Sequence, residues 1–124
     1  NQNVKIYSKL SNSAVQQIIS HSNCVIIPSI CGEAFSLVAA ESMTNKTPII
    51  CYDVGGLTEI VKKSKGGIIV DRNNKILFLK SIIWVLSNSL KARKLGLNGH
   101  FFANNYFKSK KNYKILSKLY KKIF

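Results

Sequence analysis

Asn23-Cys24-Val25-Ile26-Ile27-Pro28-Ser29-Ile30-Cys31-Gly32-Glu33-Ala34-Phe35-Ser36-Leu37-Val38-Ala39-Ala40-Glu41 passes from a β-branched apolar run, through a turn of Pro, Ser and Gly, into small and aliphatic residues. The first part, Asn23 to Ile27, is too short for a helix and reads as a buried strand. Phe35 to Thr44 reads as the helix that follows it. If that helix begins near Phe35, Glu33 sits in the loop before it and Glu41 lies about two turns inside. The N–H groups of Phe35, Ser36 and Leu37 then have no intrahelical acceptor and project from the first turn. Such a terminus attracts anions, worth roughly 0.3–2 kcal/mol from the dipole alone. A phosphate suits it, and an ionised carboxylate on either side accepts hydroxyl hydrogens.

Outward from this stretch the pattern repeats. Val4 to Tyr7, Pro48 to Tyr52 and Gly67 to Asp71 are further short aliphatic runs bounded by turn residues. Ser13 to Ser20, Phe35 to Thr44 and Leu57 to Lys63 lie between the four runs and fit one helical crossover apiece. The order β-α-β-α-β-α-β, with right-handed crossovers, gives an α/β fold: a Rossmann-like parallel sheet of about four strands with helices on both faces. Ligands of such sheets bind outside the carboxyl ends of the strands. After Asp71 the pattern is helical only. Ile76, Leu79, Ile82, Ile83 and Leu86 form one stripe of a helix from about Asn74 to Asn88, a second helix covers Ser89 to Ala103, and Ser109 to Ile123 forms a basic, amphipathic helical tail. Its apolar face reads first as docked on protein with solvated lysines, and second as a membrane-surface helix.

Length and composition set the bounds. At 124 residues, 46% hydrophobic and 19% charged, the chain can bury a core and is expected to form one domain over residues 1–124. The longest unbroken apolar stretch is Ile82 to Leu86, so neither a signal peptide nor a membrane-spanning helix is expected. Cys24, Cys31 and Cys51 form no close pair, which suits a reducing compartment, and a cytoplasmic location is expected. His21 and His100 stand apart and read as helix-end residues, so no metal site is expected. The net charge of +14 is uneven: residues 1–61 sum to −1 and residues 62–124 to +15. Only Arg72 and Arg93 are Arg, poor equipment for reading bases, and nucleic acid is not expected as a partner. Compositional drift toward lysine explains the excess as well as an acidic membrane surface or a phosphorylated ligand does, and peripheral membrane contact stays open.

Order and spacing then narrow the reading. Ile27-Pro28-Ser29, Glu33-Ala34-Phe35-Ser36-Leu37, Glu41-Ser42-Met43 and Thr47-Pro48-Ile49-Ile50 follow one another. Seven residues separate the two glutamates. Gly55-Gly56 with Glu59 three residues later, Gly66-Gly67-Ile68-Ile69-Val70 and Leu119-Tyr120 complete the series. This resembles, over nearly the whole chain, the C-terminal donor-binding domain of GT-B fold retaining glycosyltransferases of group 4, the glycosyl transferases group 1. The resemblance implies that Glu33, as the catalytic residue, contacts sugar hydroxyls of a nucleotide-sugar donor, and that Glu41 holds the ribose hydroxyls. It implies a donor site of Gly32, Glu33, Ala34, Phe35, Ser36, Leu37 and Glu41, with no cofactor and no metal. Transfer to an unknown acceptor, whether glycan, lipid or small molecule, would retain the anomeric configuration through an oxocarbenium-like transition state. The protein's part would be to position reactants and stabilise charge.

Departures from the family pattern fall at Ser36 and Lys46, where the family usually has Gly. A left-handed residue at Lys46 costs about 1 kcal/mol unless Asn45 adopts that conformation instead. Gly55-Gly56 reads first as a tight strand-to-helix turn and second as a point of close approach to a substrate. Measured against the family, the chain matches an incomplete C-terminal domain. The N-terminal acceptor domain and two βα units, which carry the cations for the leaving diphosphate, are expected in a parent chain or partner. In the strand order 3-2-1-4-5-6 their absence separates the strand at Val4 from the one at Asn23, so the first strand is expected to be displaced, poorly ordered or paired elsewhere. The alternative to an enzyme is a non-catalytic remnant that binds nucleotide sugars, or a basic module that engages membrane or nucleic acid.

Overall fold

The structure is a computed structural model that describes residues 3–32, 34–107 and 109–123, apart from the side chains of 109–112 and 121–123. The elements alternate as α1 (Asn12–His21), β1 (Val25–Ile27), α2 (Leu37–Thr44), β2 (Ile49–Tyr52), α3 (Gly55–Ser64) and β3 (Gly67–Val70). Three helices follow: α4 (Lys75–Ser87), α5 (Ser89–Tyr106) and α6 (Ser109–Ile123). The strands pair in parallel in the order β1-β2-β3, with Ile26 opposite Ile50 and Ile50 opposite Ile68. β2 lies at the centre and is buried along its whole length, as its unbroken Ile-Ile-Cys-Tyr run requires.

Side chains alternate across the sheet and build two cores. On one face Ile27, Ile49 and Cys51 meet Ala39 and Met43 of α2, Leu57 and Val61 of α3, and Ala103 of α5. On the other, Ile50, Tyr52 and Val70 meet Phe78 and Val85 of α4. α5 can lie close because it carries glycine where it crosses the turn after α2. A Cβ on Gly96 would stand 1.9 Å from the main-chain oxygen of Lys46. α1 is tied to the same turn by the Thr47 hydroxyl, which donates to the Ile19 carbonyl at 2.8 Å, and by the Asn45 side-chain amide, which donates to Gln16.

Two expectations need correction, and one alternative left open is decided. Val4 to Tyr7 forms no strand, and Ile6 is 91% exposed, so three strands are present among the described residues instead of four. A strand exists only where a neighbour completes its ladder, and β1, which pairs with β2 alone, offers no described partner on its far side. The stripe on α4 is also misplaced. Ile76, Leu79, Ile83 and Leu86 are exposed and only Ile82 is half-buried, while Phe78, Ser81 and Val85 face the core. Finally, the left-handed residue after α2 is Lys46 itself, at φ 61°, whereas Asn45 stays at φ −88° and spends its side-chain amide on the Glu41 carbonyl at 2.8 Å.

Candidate functional site

β1 and β2 both end at the carboxyl edge of the sheet, and the chain leaves each to start a helix there. The loop after β1 is open: Cys31, Gly32, Ala34 and Phe35 are exposed, and nothing lies within 4 Å of where a Gly32 Cβ would be. Glu33 lies outside the described residues.

α2 begins at Leu37, two residues later than the sequence suggests, because Ser36 takes the N-cap. It is extended at φ −100° and ψ 109°, its hydroxyl accepts from the Ala39 N–H at 3.4 Å, and its carbonyl accepts from Ala40 N–H at 3.1 Å. The free donors of the first turn are therefore those of Leu37 and Val38, beginning two residues further on than expected from a start at Phe35. Leu37 is 72% exposed, so this end of the helix is open to solvent.

Glu41 lies one turn beyond Leu37 on the same side of α2. It is half-buried, and its carboxylate makes no hydrogen bond or ion pair with the described residues. Asn45, a further turn along that side, reaches Gln16, so Glu41 belongs to the flank of α2 that faces α1. Phe35 turns the other way. Its ring stands edge-on to Phe107 at 5.6 Å, and Phe107 is edge-on to Phe102, which stacks on Tyr106 at 4.3 Å. The two flanks of the α2 terminus thus differ: a free carboxylate on one, an aromatic cluster on the other.

On the neighbouring terminus Gly55 takes φ 51° and Gly56 follows in the first turn of α3, so the glycine pair makes the sharp entry from strand to helix. Glu59, one turn on, pairs with Lys63 at 2.5 Å. The hydrogen bond and charge of Lys63 hold the Glu59 carboxyl below its ordinary range, and Glu59 raises Lys63 in turn. This pair, and the cavity it borders with Phe35, Phe102 and Tyr106, escaped the sequence reading. The only signal was the aromatic spacing Phe101, Phe102, Tyr106 and Phe107, which is equally consistent with a core face.

Of the thiols, Cys51 is buried and pushed up to about 12 by burial and then by the charge of Asp53, so it is no nucleophile. Burial also raises Cys24. Among the described residues no three His, Cys, Asp or Glu side chains converge as metal ligands, and no helix is long and apolar enough to cross a membrane.

Residues 1–100 match the family model of the glycosyl transferases group 1. An uncharacterised glycosyltransferase of Methanocaldococcus jannaschii is 28% identical, the match covering 82% of this chain and 34% of the relative. The D-inositol 3-phosphate glycosyltransferase of Acidothermus cellulolyticus is 37% identical over 54% of this chain and 15% of its own. In structure, the chain superposes on the sucrose-phosphate synthase of Thermosynechococcus elongatus with a TM-score of 0.89 at 28% identity, over 99% of this chain and 31% of that one. The chain therefore spans about a third of the length of the first of these relatives and of the solved structure. Its parallel sheet and the helices on both faces agree with these likenesses, and the chain belongs to the glycosyl transferases group 1 family.

Proposed function

We propose that this chain is the donor-binding part of a retaining glycosyltransferase that takes a nucleotide-diphosphate sugar. The observation that carries the reading is the open first turn of α2 with the unpartnered carboxylate of Glu41 one turn behind it. Two main-chain donors at a helix terminus suit a diphosphate, and a half-buried carboxylate suits a pair of vicinal hydroxyls such as those of ribose.

In this reading the diphosphate lies against the Leu37 and Val38 N–H groups, with Gly32, Ala34, Phe35 and Ser36 lining the approach. Glu41 accepts the ribose hydroxyls, and Glu33 accepts hydroxyls of the donor sugar. As the bond from the anomeric carbon to the diphosphate oxygen lengthens, negative charge builds on the leaving group. The helix terminus stabilises it without reorganising. The acceptor hydroxyl attacks from the face the diphosphate leaves, its proton passing to the departing oxygen, which retains the configuration. The reading needs no metal. The N-terminal acceptor domain and the cations for the leaving group come from the parent chain or a partner.

Isothermal titration with UDP, GDP and ADP tests it. The expected result is saturable binding of at least one nucleotide, weakened in Glu41→Ala by about 1.5–3 kcal/mol. Glu33→Gln should harm recognition of the intact nucleotide sugar more than that of the bare nucleotide. Equal affinity of the native chain and Glu41→Ala for every nucleotide would sink the assignment.

A further inference from the structure

The aromatic cavity between α3 and α5 lies beside the proposed donor turn, and no step of the donor reading uses it. Its volume is about 290 Å³, and Lys63, Phe102 and Tyr106 also line an adjoining hollow of about 480 Å³. Spaces of this order hold one or two rings of a small molecule. One wall is a stiff apolar plane: Phe102 and Tyr106 stack with their rings 16° from parallel, and Phe107 braces Phe102 edge-on at 5.7 Å. Tyr106 is 57% exposed, so part of its surface stays open to a ligand.

Polar groups complete the lining. Glu59 and Lys63 form their ion pair on the α3 side. In the wider hollow Asn98 and Asn105 commit side-chain N–H groups to main-chain carbonyls, Lys65 at 3.3 Å and Phe101 at 2.9 Å, which leaves their amide oxygens as acceptors. A wholly apolar ligand would press hydrocarbon against these groups at a desolvation cost. A flat aromatic wall facing a carboxylate, an ammonium and amide oxygens instead matches a ring with a C–H-rich face and a rim of hydroxyls.

We propose that this cavity binds a pyranose ring, its C–H face on Tyr106 and its hydroxyls toward Glu59. Sugar binding stands on the cavity itself. Identifying that sugar as part of the acceptor rests on the donor reading above, because Ala34 and Phe35 border both sites.

Titration of the full chain with methyl β-D-glucopyranoside, methyl α-D-mannopyranoside and maltose, followed by saturation-transfer and amide-shift NMR, reads the proposal with no donor present. At least one of these sugars should saturate and shift amides of α3 and α5. Tyr106→Ala should weaken it about five-fold or more, while Tyr106→Phe keeps it. Glu59→Gln, at an exposed side chain, should also weaken it and serves if Tyr106→Ala fails to fold. Nucleotide affinity should be indifferent to Tyr106→Ala. Failure of all three sugars to saturate, or unchanged sugar affinity in both Tyr106→Ala and Glu59→Gln, would overturn the proposal. So would a loss of UDP or GDP affinity in Tyr106→Ala, which would make the wall a base-stacking surface. An inert Glu41→Ala, by contrast, would remove the donor reading and leave the sugar titration standing.

Discussion

Phe78 of α4 lies over Tyr52 of β2, with ring centroids 4.3 Å apart and planes 34° from parallel. Tyr52 ends the central strand, so this contact seats α4 on the face of the sheet opposite α2 and α3. Phe78→Ala should destabilise the chain by about 3–5 kcal/mol, since the vacated space is enclosed by Ile50, Val70 and Val85 and cannot collapse freely. Urea unfolding followed by tyrosine fluorescence measures the loss.

The exposed side of the same helix should behave in the opposite way. Ile83 sits on the apolar stripe that periodicity assigns to the core, yet it is 54% exposed. Ile83→Lys should leave the free energy of unfolding within about 0.5 kcal/mol of the native chain. A loss of 2 kcal/mol or more, on the order expected for a buried position, would restore the periodicity reading.

These two residues show what the sequence could and could not convey. Ile49 to Tyr52 is apolar at every position, which only a strand covered on both faces tolerates, and the structure buries it on both. α4 is apolar nearly all round, so its pattern fixes a helix without choosing a face. The choice falls to the shape of the sheet, where Phe78 meets Tyr52 and Ser81 closes its hydroxyl on the Leu77 carbonyl at 2.8 Å. Val4 to Tyr7 has a strand's composition, but its pairing depends on residues elsewhere and cannot be read locally. At the candidate site the turn after β1 and the placing of Glu41 on the following helix were legible from order and spacing, but Glu41 stands one turn inside α2 where the sequence suggests two. The start of α2 shifted by two residues because Ser36 caps the helix in place of joining it. The cavity between α3 and α5 was hidden, since its walls come from segments some forty residues apart in the chain.

Lys46 holds the left-handed conformation that follows α2, at φ 61°, with its N–H on the Met43 carbonyl at 3.1 Å. A side chain with a Cβ is strained there, and its exposure means little packing is lost on removal. Lys46→Gly should therefore stabilise the chain slightly, by up to about 0.5 kcal/mol after the added flexibility of the unfolded glycine is subtracted. A rise in thermal midpoint checks the sign, and a fall would mean that the lysine makes a compensating contact.

Glu59 supplies the pH test. Its carboxyl titrates below the ordinary value because of the hydrogen bond from Lys63 and then the charge of that ammonium. A depressed carboxyl contributes stability that is present above its unfolded-state pKa and fades as pH falls through the lower, folded value. Both side chains are more than half exposed, so the contribution is small and falls further with added salt. Following the Glu59 carboxyl carbon by NMR should give a midpoint below that of a free glutamate, returning upward in Lys63→Met. Because the pair stands at the cavity wall, the same titration with sugar present distinguishes two modes of binding. If a hydroxyl replaces the ammonium as the partner of Glu59, saturating sugar should raise the midpoint. If both partners hold the ligand together, the midpoint should stay where the ion pair puts it.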